Sequence, residues 1–351
     1  MLKILIYGAG VLGSFYAAQL HKGGHDVSIL ARGQRLSDLR EHGIVLESAT
    51  TGERTITRVN VVDNLAPEDA YDLVIVVMRK NQIVSVLPTL AANQHTPNVL
   101  FMGNNAAGPN ELVEALGPER VLLGFGGVGG LRSGHVIHHL ARSDQKTAPV
   151  TIGELDGQTT PRLKHIAAAF IKAGVSVRLN PSIDAWLKSH VALVSPLANA
   201  LYLAGGDNYQ LARTRDGIVL SIRAIREGFK VLRAQGVPVT PSAIKTIKWL
   251  PEPILVPLVR AVLNTERAEI GLAGHANAAR DEMKHLADEF RALTNSTKIK
   301  TPAINRLYPY TDPAVPPIPD GSRQIALSWG GVLIGSGLLV GFIIGLILLL
   351  T

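Results

Sequence analysis

The chain has 351 residues, with 35 lysines and arginines against 28 aspartates and glutamates, and it contains no cysteine. The absence of cysteine excludes a disulfide scaffold, a thiolate nucleophile and any metal centre with cysteine ligands. A hydrophobic content of 46% with only 18% charged residues excludes an intrinsically disordered chain. The length is sufficient for about two domains.

The first apolar run, residues 3–7 (KILIY), is followed by a glycine-rich segment and then by a helical pattern. The segment consists of Gly8, Ala9, Gly10, Val11, Leu12 and Gly13. In this context Gly8 permits a tight turn, Gly10 lets the backbone approach a pyrophosphate, and Gly13 lets the helix pack closely on the strand. The sequence therefore predicts that these six residues bind a dinucleotide cofactor.

The second predicted strand, Asp26–Leu30, is followed by basic residues. An acidic residue is usual at this point in proteins that prefer NAD, whereas an arginine can pair with the 2′-phosphate of NADP. The sequence favours NADP(H), with Arg32 as the contact and Arg35 as a second one. The alternative interpretation is a solvated basic turn.

Two further strand patterns, residues 72–78 and 98–102, are separated by a helical stretch that begins near Gln82. Alternating strands and helices are typical of a parallel, doubly wound α/β sheet of the Rossmann type. Residues 120–155 contain shorter strands interrupted by glycine, which predict an antiparallel addition to this sheet.

After Pro181 the patterns are almost entirely helical, which predicts an all-helical second domain. The helical patterns are Ile183–Ala204, Asp216–Gln235, Pro241–Leu250 and Arg260–Leu293. We therefore expect an NADP-binding Rossmann domain over residues 1–180 and a helical substrate domain over residues 181–312. A proline-rich spacer is expected over residues 313–324.

Residues 325–350 contain no charged side chain. As a helix they would extend about 39 Å, enough to cross a bilayer core of roughly 30 Å. Because Met1–Ile6 is too short for a signal peptide, we expect a single-pass protein anchored at its C-terminus, with the catalytic body on the cytoplasmic side. Small residues four apart, such as Gly337 and Gly341, leave a homodimer open.

Four segments together resemble the ketopantoate reductase (2-dehydropantoate 2-reductase) family. They are the glycine loop 8–13, Arg32, residues 103–112 (GNNAAGPNEL) and residues 184–200 (DAWLKSHVALVSPLANA). The resemblance implies a Rossmann domain followed by a helical domain. It also implies reduction of a branched 2-oxo acid with NADPH, in this case ketopantoate to pantoate.

The resemblance also implies roles for particular residues. Lys188, in a Trp-x-Lys pattern, matches the family's general acid, and Asn104 matches the asparagine at the junction of cofactor and substrate. Arg79 stands where the family usually has a cofactor-binding lysine. Glu282, twenty residues before Pro302, matches the substrate-ordering glutamate by its spacing. Glu269, in an Ala-Glu-Ile pattern, is the alternative to Glu282.

Two positions depart from the family pattern near Lys188. Ala192 and Ser195 replace asparagines that line the family's substrate pocket, so Ser195 becomes the predicted substrate contact. These changes leave open a reductase that acts on a different 2-oxo acid. They also leave open a catalytically silent, membrane-anchored regulator that binds NADP.

Hydride transfer to a ketone builds negative charge on its oxygen, so a donor is needed there. Lys188 can supply the hydrogen bond and then the proton, and the alternative is an ordinary exposed lysine on a helix. A metal site is not expected, because the histidines of residues 135–139 have no nearby carboxylates in the sequence. Nucleic acid is not an expected partner, because the net charge of +7 is spread along the chain.

Overall fold

The computed structural model describes residues 1–140 and 149–329, which form two compact units. The first unit comprises Met1–Val191 and Ile270–Leu293. The second comprises Ala192–Glu269 and the chain from Thr294 onward. The domain limits expected from the sequence, with a boundary at residue 180, stay a prediction.

All strands of the described residues lie in the first unit. In chain order they are β1 Lys3–Tyr7, β2 Asp26–Leu30, β3 Ile44–Ser48, β4 Arg54–Thr57, β5 Asn60–Val62, β6 Leu73–Val76, β7 Val99–Met102, β8 Val121–Phe125, β9 Gly130–Ser133, β10 Val136–His139, β11 Val150–Gly153 and β12 Val177–Leu179.

The larger sheet has eight strands in the order β12-β11-β8-β7-β6-β1-β2-β5. Six adjacent strands of this sheet are parallel: β8, β7, β6, β1, β2 and β5. Their order is that of a doubly wound Rossmann sheet. The predicted α/β architecture is therefore confirmed. The predicted antiparallel addition is correct only for β11, because β8 pairs with β7 in parallel.

The central strand β1 shows why this sheet is buried on both faces. Ile4 and Ile6 pack into one apolar cluster, whereas Leu5 and Tyr7 pack into another. Successive side chains of a strand point to opposite faces, so a continuous apolar run is suited to a strand covered on both sides.

A second sheet of four strands has the order β4-β3-β10-β9. The β3–β4 hairpin was not predicted from the sequence, and its second strand is mostly exposed. The polar sequence of β4 (RTIT) is weaker evidence for a strand than the apolar runs of the larger sheet. His138 and His139 belong to β10 of this sheet.

The helices carry most of the remaining chain. They are α1 Val11–Lys22, α2 Gly33–His42, α3 Lys80–Ile83, α4 Leu87–Ala92, α5 Asn110–Leu116, α6 Pro161–Lys172, α7 Ile183–Leu203, α8 Asn208–Arg213, α9 Arg215–Ala234, α10 Glu252–Leu263, α11 Glu266–Ala268, α12 His275–Ala278, α13 Arg280–Asn295 and α14 Pro302–Leu307. Short 3-10 helices are Val84–Val86, Ser242–Lys248 and Tyr308–Thr311, and Glu269–Gly274 is a π-helix.

The expected helical texture after Pro181 is confirmed, with one correction to its detail. The predicted helix Arg260–Leu293 is broken, because α10 ends at Leu263 and the chain then passes through short elements before α13. The break before α13 falls at Ala279, whose φ of −124° and ψ of 37° are not helical. Helical periodicity does not identify such a break.

The predicted transmembrane helix is contradicted, and with it the single-pass localisation at the cytoplasmic face. Residues 325–329 are not helical. Within residues 1–140 and 149–329, no helix combines the length and the apolar character needed to cross a bilayer. The rest of the predicted span, residues 330–350, lies outside the described residues.

The close approach of Gly13 in α1 to the backbone of Gly8 predicts that even a methyl group at Gly13 lowers the stability of the fold. A Cβ added at Gly13 would lie 1.9 Å from the carbonyl oxygen of Gly8. We expect Gly13→Ala to lower the free energy of unfolding by about 1–3 kcal/mol, because backbone atoms would have to move.

Gly10→Ala is the matched control, since a Cβ at Gly10 has no atom within 4 Å. Urea unfolding of the full chain measures both variants. Equal stability of the Gly13→Ala and Gly10→Ala proteins would show that the loop does not need this close approach.

Candidate active site

The glycine-rich loop between β1 and α1 has an open backbone face. Gly8 has a φ of +117°, a conformation that other residues rarely adopt. Helix α1 begins after Gly10 without a side-chain cap, and nothing lies within 4 Å of a Cβ built at Gly10. The first backbone N–H groups of α1 therefore lack a side-chain acceptor, which is the arrangement that binds phosphate at a helix N-terminus.

Arg35 supports this loop from inside the protein. Its guanidinium donates hydrogen bonds to the carbonyl oxygens of Ala9 (3.1 Å) and His135 (3.0 Å) and to Oγ of Ser14 (2.9 Å). Arg35 is only 7% exposed, and its burial lowers the pKa of the guanidinium. These three bonds direct Arg35 into the protein rather than toward a cofactor phosphate at the surface.

Arg32, by contrast, is exposed at the end of β2. Its Nη2 atom donates a hydrogen bond of 3.2 Å to the hydroxyl of Tyr7, the last residue of β1. Both residues therefore lie at the carboxyl edge of the parallel sheet, where open α/β sheets bind their ligands. Sequence reasoning did not identify Tyr7, although its position before Gly8 was a signal.

Asn104 and Glu282 meet in the first unit. The amide nitrogen of Asn104, which follows β7, donates to Oε1 of Glu282 at 3.3 Å. The same oxygen accepts the backbone N–H of Lys80, which follows β6, at 3.2 Å. Glu282 is 4% exposed and Asn104 is 8% exposed. The carboxylate of Glu282 thus joins the loops that follow two neighbouring strands.

Lys80 was missed by sequence reasoning, although it is a buried cation at this site. Its side chain is 3% exposed, and Nζ lies 3.3 Å from a carboxylate oxygen of Glu111 and 3.5 Å from one of Glu289. Glu289 also accepts the backbone N–H of Ala106. A buried ammonium needs such carboxylate partners to offset its lost hydration, so this cluster holds the loop that carries Asn104.

Arg79 faces α13. Its guanidinium donates to Oδ1 of Asp281 at 2.8 Å and to the carbonyl oxygen of Ala278 at 2.6 Å. Burial acts to raise the pKa of Asp281, but the hydrogen bond from Asn81 and the charge of Arg79 outweigh it and lower that pKa. The described contacts of Arg79 thus fix the position of α13.

Lys188 lies on α7, beside the end of the loop that carries Asn104. Its Nζ is 2.6 Å from Oδ2 of Asp184, one helical turn earlier. A Cβ built at Gly108 would lie 3.3 Å from Nζ of Lys188 and 3.6 Å from Oδ1 of Asp184. Gly108 has a φ of +93°, and Asn105 both donates to and accepts from its backbone. Only glycine combines this conformation with the close approach of the lysine.

An aromatic cluster packs along the same helix. The rings of Trp186 and His190 are stacked with centroids 5.3 Å apart, and Phe125 at the end of β8 lies 4.3 Å from His190. Burial, followed by the charge of His275, lowers the pKa of His190 to about 4. The imidazole is therefore neutral at physiological pH and acts as part of an apolar wall.

The two competing glutamates have different environments. Glu282 is buried in the first unit against Asn104, whereas Glu269 lies in the second unit, where it accepts a hydrogen bond of 2.9 Å from the half-buried Tyr209. The geometry therefore groups Glu282 with Asn104. Ser195 is 4% exposed and lies on the part of α7 that belongs to the second unit.

The residues fit a dinucleotide cofactor of the kind that the fold implies. The glycine loop has room at Gly10 for a pyrophosphate. The buried Oδ1 of Asn104 has no hydrogen-bond partner among residues 1–140 and 149–329, and such atoms are normally satisfied by a partner or by water. Backbone donors, an exposed arginine and an amide oxygen without a partner among the described residues thus follow β1, β2 and β7, all at the same edge of the sheet.

Comparison with known proteins supports the family resemblance. The sequence model for "Ketopantoate reductase PanE/ApbA" matches residues 4–157. A 2-dehydropantoate 2-reductase of Halobacterium salinarum is 26% identical over 310 residues, covering 87% of this chain and 96% of the relative. These matches confirm the resemblance to the ketopantoate reductase family that the sequence predicted, at the level of similarity to a family of oxidoreductases.

Solved structures share the fold of this chain. The 2-dehydropantoate 2-reductase of Geobacter metallireducens has a TM-score of 0.71 at 19% identity, covering 89% of this chain and 99% of the other. A D-mandelate dehydrogenase with NADH and anilino(oxo)acetate has a TM-score of 0.71 at 16% identity, covering 88% and 96%. At these identities the similarity shows the fold alone.

The environment of His190 predicts a pH dependence of stability. The pKa of His190 falls from 6.5 to about 4 on folding. Between pH 4 and pH 6.5 the unfolded chain therefore binds a proton at His190, whereas the folded protein does not. The stabilisation is present above pH 6.5 and is lost as the pH falls toward 4. We expect a loss of roughly 2 kcal/mol between pH 7 and pH 5.

His190→Phe should remove this part of the pH dependence, because phenylalanine keeps a ring against Trp186 and Phe125 and does not titrate. Urea unfolding at pH 5, 6 and 7 measures the difference from the wild type. His95→Asn, at an exposed position, is the control and should leave the slope unchanged. A slope that His190→Phe does not change would contradict the assignment.

Proposed function

We propose that the protein is an NADPH-dependent reductase of 2-oxo acids, and that its substrate is ketopantoate (2-dehydropantoate). One observation carries the proposal: the ammonium of Lys188 and its partner Asp184 lie against Gly108, on the loop that also carries Asn104. A proton donor beside the carboxyl edge of a nucleotide-binding sheet is what reduction of a ketone requires.

The cofactor would bind along the carboxyl edge of the sheet. The backbone N–H groups at the start of α1 would hold the pyrophosphate, with Gly8, Ala9, Gly10, Val11, Leu12 and Gly13 forming the loop. Arg32 would pair with the 2′-phosphate that distinguishes NADPH from NADH. When bound, the reduced nicotinamide supplies the hydride. Arg35 is already bonded inside the protein, so we assign the phosphate to Arg32 alone.

Lys188 would act as the general acid. As negative charge develops on the oxygen of the ketone, its ammonium donates a hydrogen bond and then a proton to that oxygen. The carboxylate of Asp184, at 2.6 Å, limits the directions in which the long side chain can point. A fixed donor is more effective than a mobile one, because its position is set before the reaction begins.

Asn104 and Glu282 would order the reacting groups. The unpartnered Oδ1 of Asn104 can accept a hydrogen bond from the cofactor or from Lys188, while its amide nitrogen is held by Glu282. Only Oε1 of Glu282 carries the bonds from Asn104 and Lys80, so its second oxygen can accept from a substrate hydroxyl. Arg79 and Ser195 stay predictions from the family resemblance.

A second candidate substrate class is an aromatic 2-oxo acid. The rings of Phe125, Trp186 and His190 form an apolar wall on the helix that carries Lys188. Ala192, which replaces a polar residue of the family pattern, is small. A structural neighbour, the D-mandelate dehydrogenase with anilino(oxo)acetate, acts on an aromatic compound according to its name. A larger apolar substrate would fit these features.

The test is NADPH oxidation by the purified full chain with ketopantoate and with phenylglyoxylate. We expect Lys188→Ala to lower kcat by roughly 10²- to 10⁴-fold, the usual contribution of a general acid. The dissociation constant for NADPH, measured by fluorescence titration, should change less than about twofold, since the lysine acts on the ketone.

Lys284→Ala is the matched control, because Lys284 also forms a salt bridge with an aspartate four residues away, Asp288, on an exposed helix surface. It should leave kcat unchanged. Turnover of phenylglyoxylate but not ketopantoate would favour the second substrate class. Tight NADPH binding without turnover of any 2-oxo acid would refute the reductase and favour an NADP-binding regulator.

A further inference from the structure

Arg32 is an exposed cation at a position where one charge decides cofactor choice. It lies two residues after the end of β2, its backbone is extended (φ −134°, ψ 160°), and it is exposed. No carboxylate of residues 1–140 and 149–329 forms a salt bridge with it. The hydrogen bond to the hydroxyl of Tyr7 is therefore the contact that orients the guanidinium.

Tyr7 is held far more firmly than Arg32. It ends the central strand β1, pairs with Leu30 on one side and Val76 on the other, and is 2% exposed. Its carbonyl oxygen accepts the backbone N–H of Val77 at 2.9 Å. The phenol thus provides a fixed hydrogen-bond acceptor for a side chain that would otherwise sample many rotamers.

The chemistry of the hydroxyl suits this task. Burial raises the pKa of Tyr7, and the neighbouring charge of Arg32 only partly opposes that rise. The phenol is therefore neutral at physiological pH, so it orients the guanidinium without neutralising it. A carboxylate in the same place would cancel the charge that a phosphate needs.

We propose that Tyr7 is a positioning residue for cofactor selectivity: its hydroxyl holds Arg32 ready to pair with the 2′-phosphate of NADPH. The proposal rests on the proposed function, because it requires NADPH to be the preferred cofactor. It goes beyond that function by assigning part of the selectivity to a buried residue of β1 that does not itself need to contact the phosphate. Preorganised side chains bind more tightly, because less freedom is lost on binding.

Tyr7→Phe is the decisive variant, since it removes one hydroxyl and keeps the ring that packs against Leu5 and Leu30. We expect the dissociation constant for NADPH to rise roughly 3- to 10-fold, the usual contribution of one hydrogen bond. The dissociation constant for NADH should change less than about twofold, and kcat at saturating NADPH should be unchanged. Fluorescence titration of the full chain measures both constants.

A double-mutant cycle separates an effect through Arg32 from a general effect on the loop. Arg32→Ala should weaken NADPH binding by roughly 10- to 100-fold, because it removes a charged partner. If Tyr7 acts through Arg32, adding Tyr7→Phe to Arg32→Ala should have no further effect on the NADPH constant. A persistent effect in that background would overturn the proposal.

Tyr71→Phe is the structural control. Tyr71 is also a buried tyrosine (7% exposed) beside the same sheet, but it precedes β6 and so lies at the opposite edge. It should leave the ratio of the NADPH and NADH constants unchanged. Thermal unfolding of both variants checks that each is folded, and an equal loss of NADH and NADPH binding in Tyr7→Phe would overturn the proposal.

The outcomes also distinguish this proposal from the proposed function. A wild-type protein without preference for NADPH would refute the cofactor assignment, and the role of Tyr7 with it. A preference that Arg32→Ala abolishes but Tyr7→Phe leaves intact would refute only the role of Tyr7. Loss of turnover in Lys188→Ala with an unchanged NADPH preference would support the reductase independently of Tyr7.

Discussion

Three carboxylates of α13 hold the loops that follow β6 and β7 in the first unit. Asp281 binds Arg79, Glu282 accepts from Lys80 and Asn104, and Glu289 pairs with the buried ammonium of Lys80. Buried charges and carboxylates are costly unless they are paired. The helix and the loops after β6 and β7 therefore cannot separate without leaving such groups unsatisfied.

Among the described residues, ten buried side-chain polar atoms lack a protein partner. Three of them lie on the loop after β7 or at the start of α7: Oδ1 of Asn104, Oδ1 of Asp184 and Nε1 of Trp186. Asp184 lies beside Lys188 and Gly108, and Trp186 is on the same helix turn. Since buried polar groups are nearly always hydrogen-bonded, these three atoms can still take a hydrogen bond from a ligand or from water.

The fold of the first 32 residues was predicted correctly, because the local sequence signals are strong there. An apolar run before a glycine-rich turn and a helical pattern identified β1 and α1, and the loop between them. The same method failed to identify the partners of individual arginines. Arg32 and Arg35 are three residues apart and look equivalent in the sequence, yet one is exposed and the other is bonded to Ala9 and Ser14.

Patterns that extend over many residues were less reliable where an interruption mattered. The helix expected over 260–293 is broken before α13, at Ala279. The prediction missed this break because helical periodicity in the sequence does not mark it. The membrane helix expected from residue 325 was inferred from apolar composition alone, and residues 325–329 are not helical. Composition measures the preference of a segment for an apolar environment, but it does not fix its conformation.

The sequence by itself determined the parallel sheet with its glycine-rich loop, the helical character of the later chain and the family resemblance, because these depend on local periodicity and short motifs. Only the tertiary structure decided which side chains meet. It separated Glu282 from Glu269, brought Lys80 into the site, and paired Tyr7 with Arg32. The physical reason is that such contacts join residues distant in the chain, and burial and hydrogen bonding at those contacts depend on the packed fold.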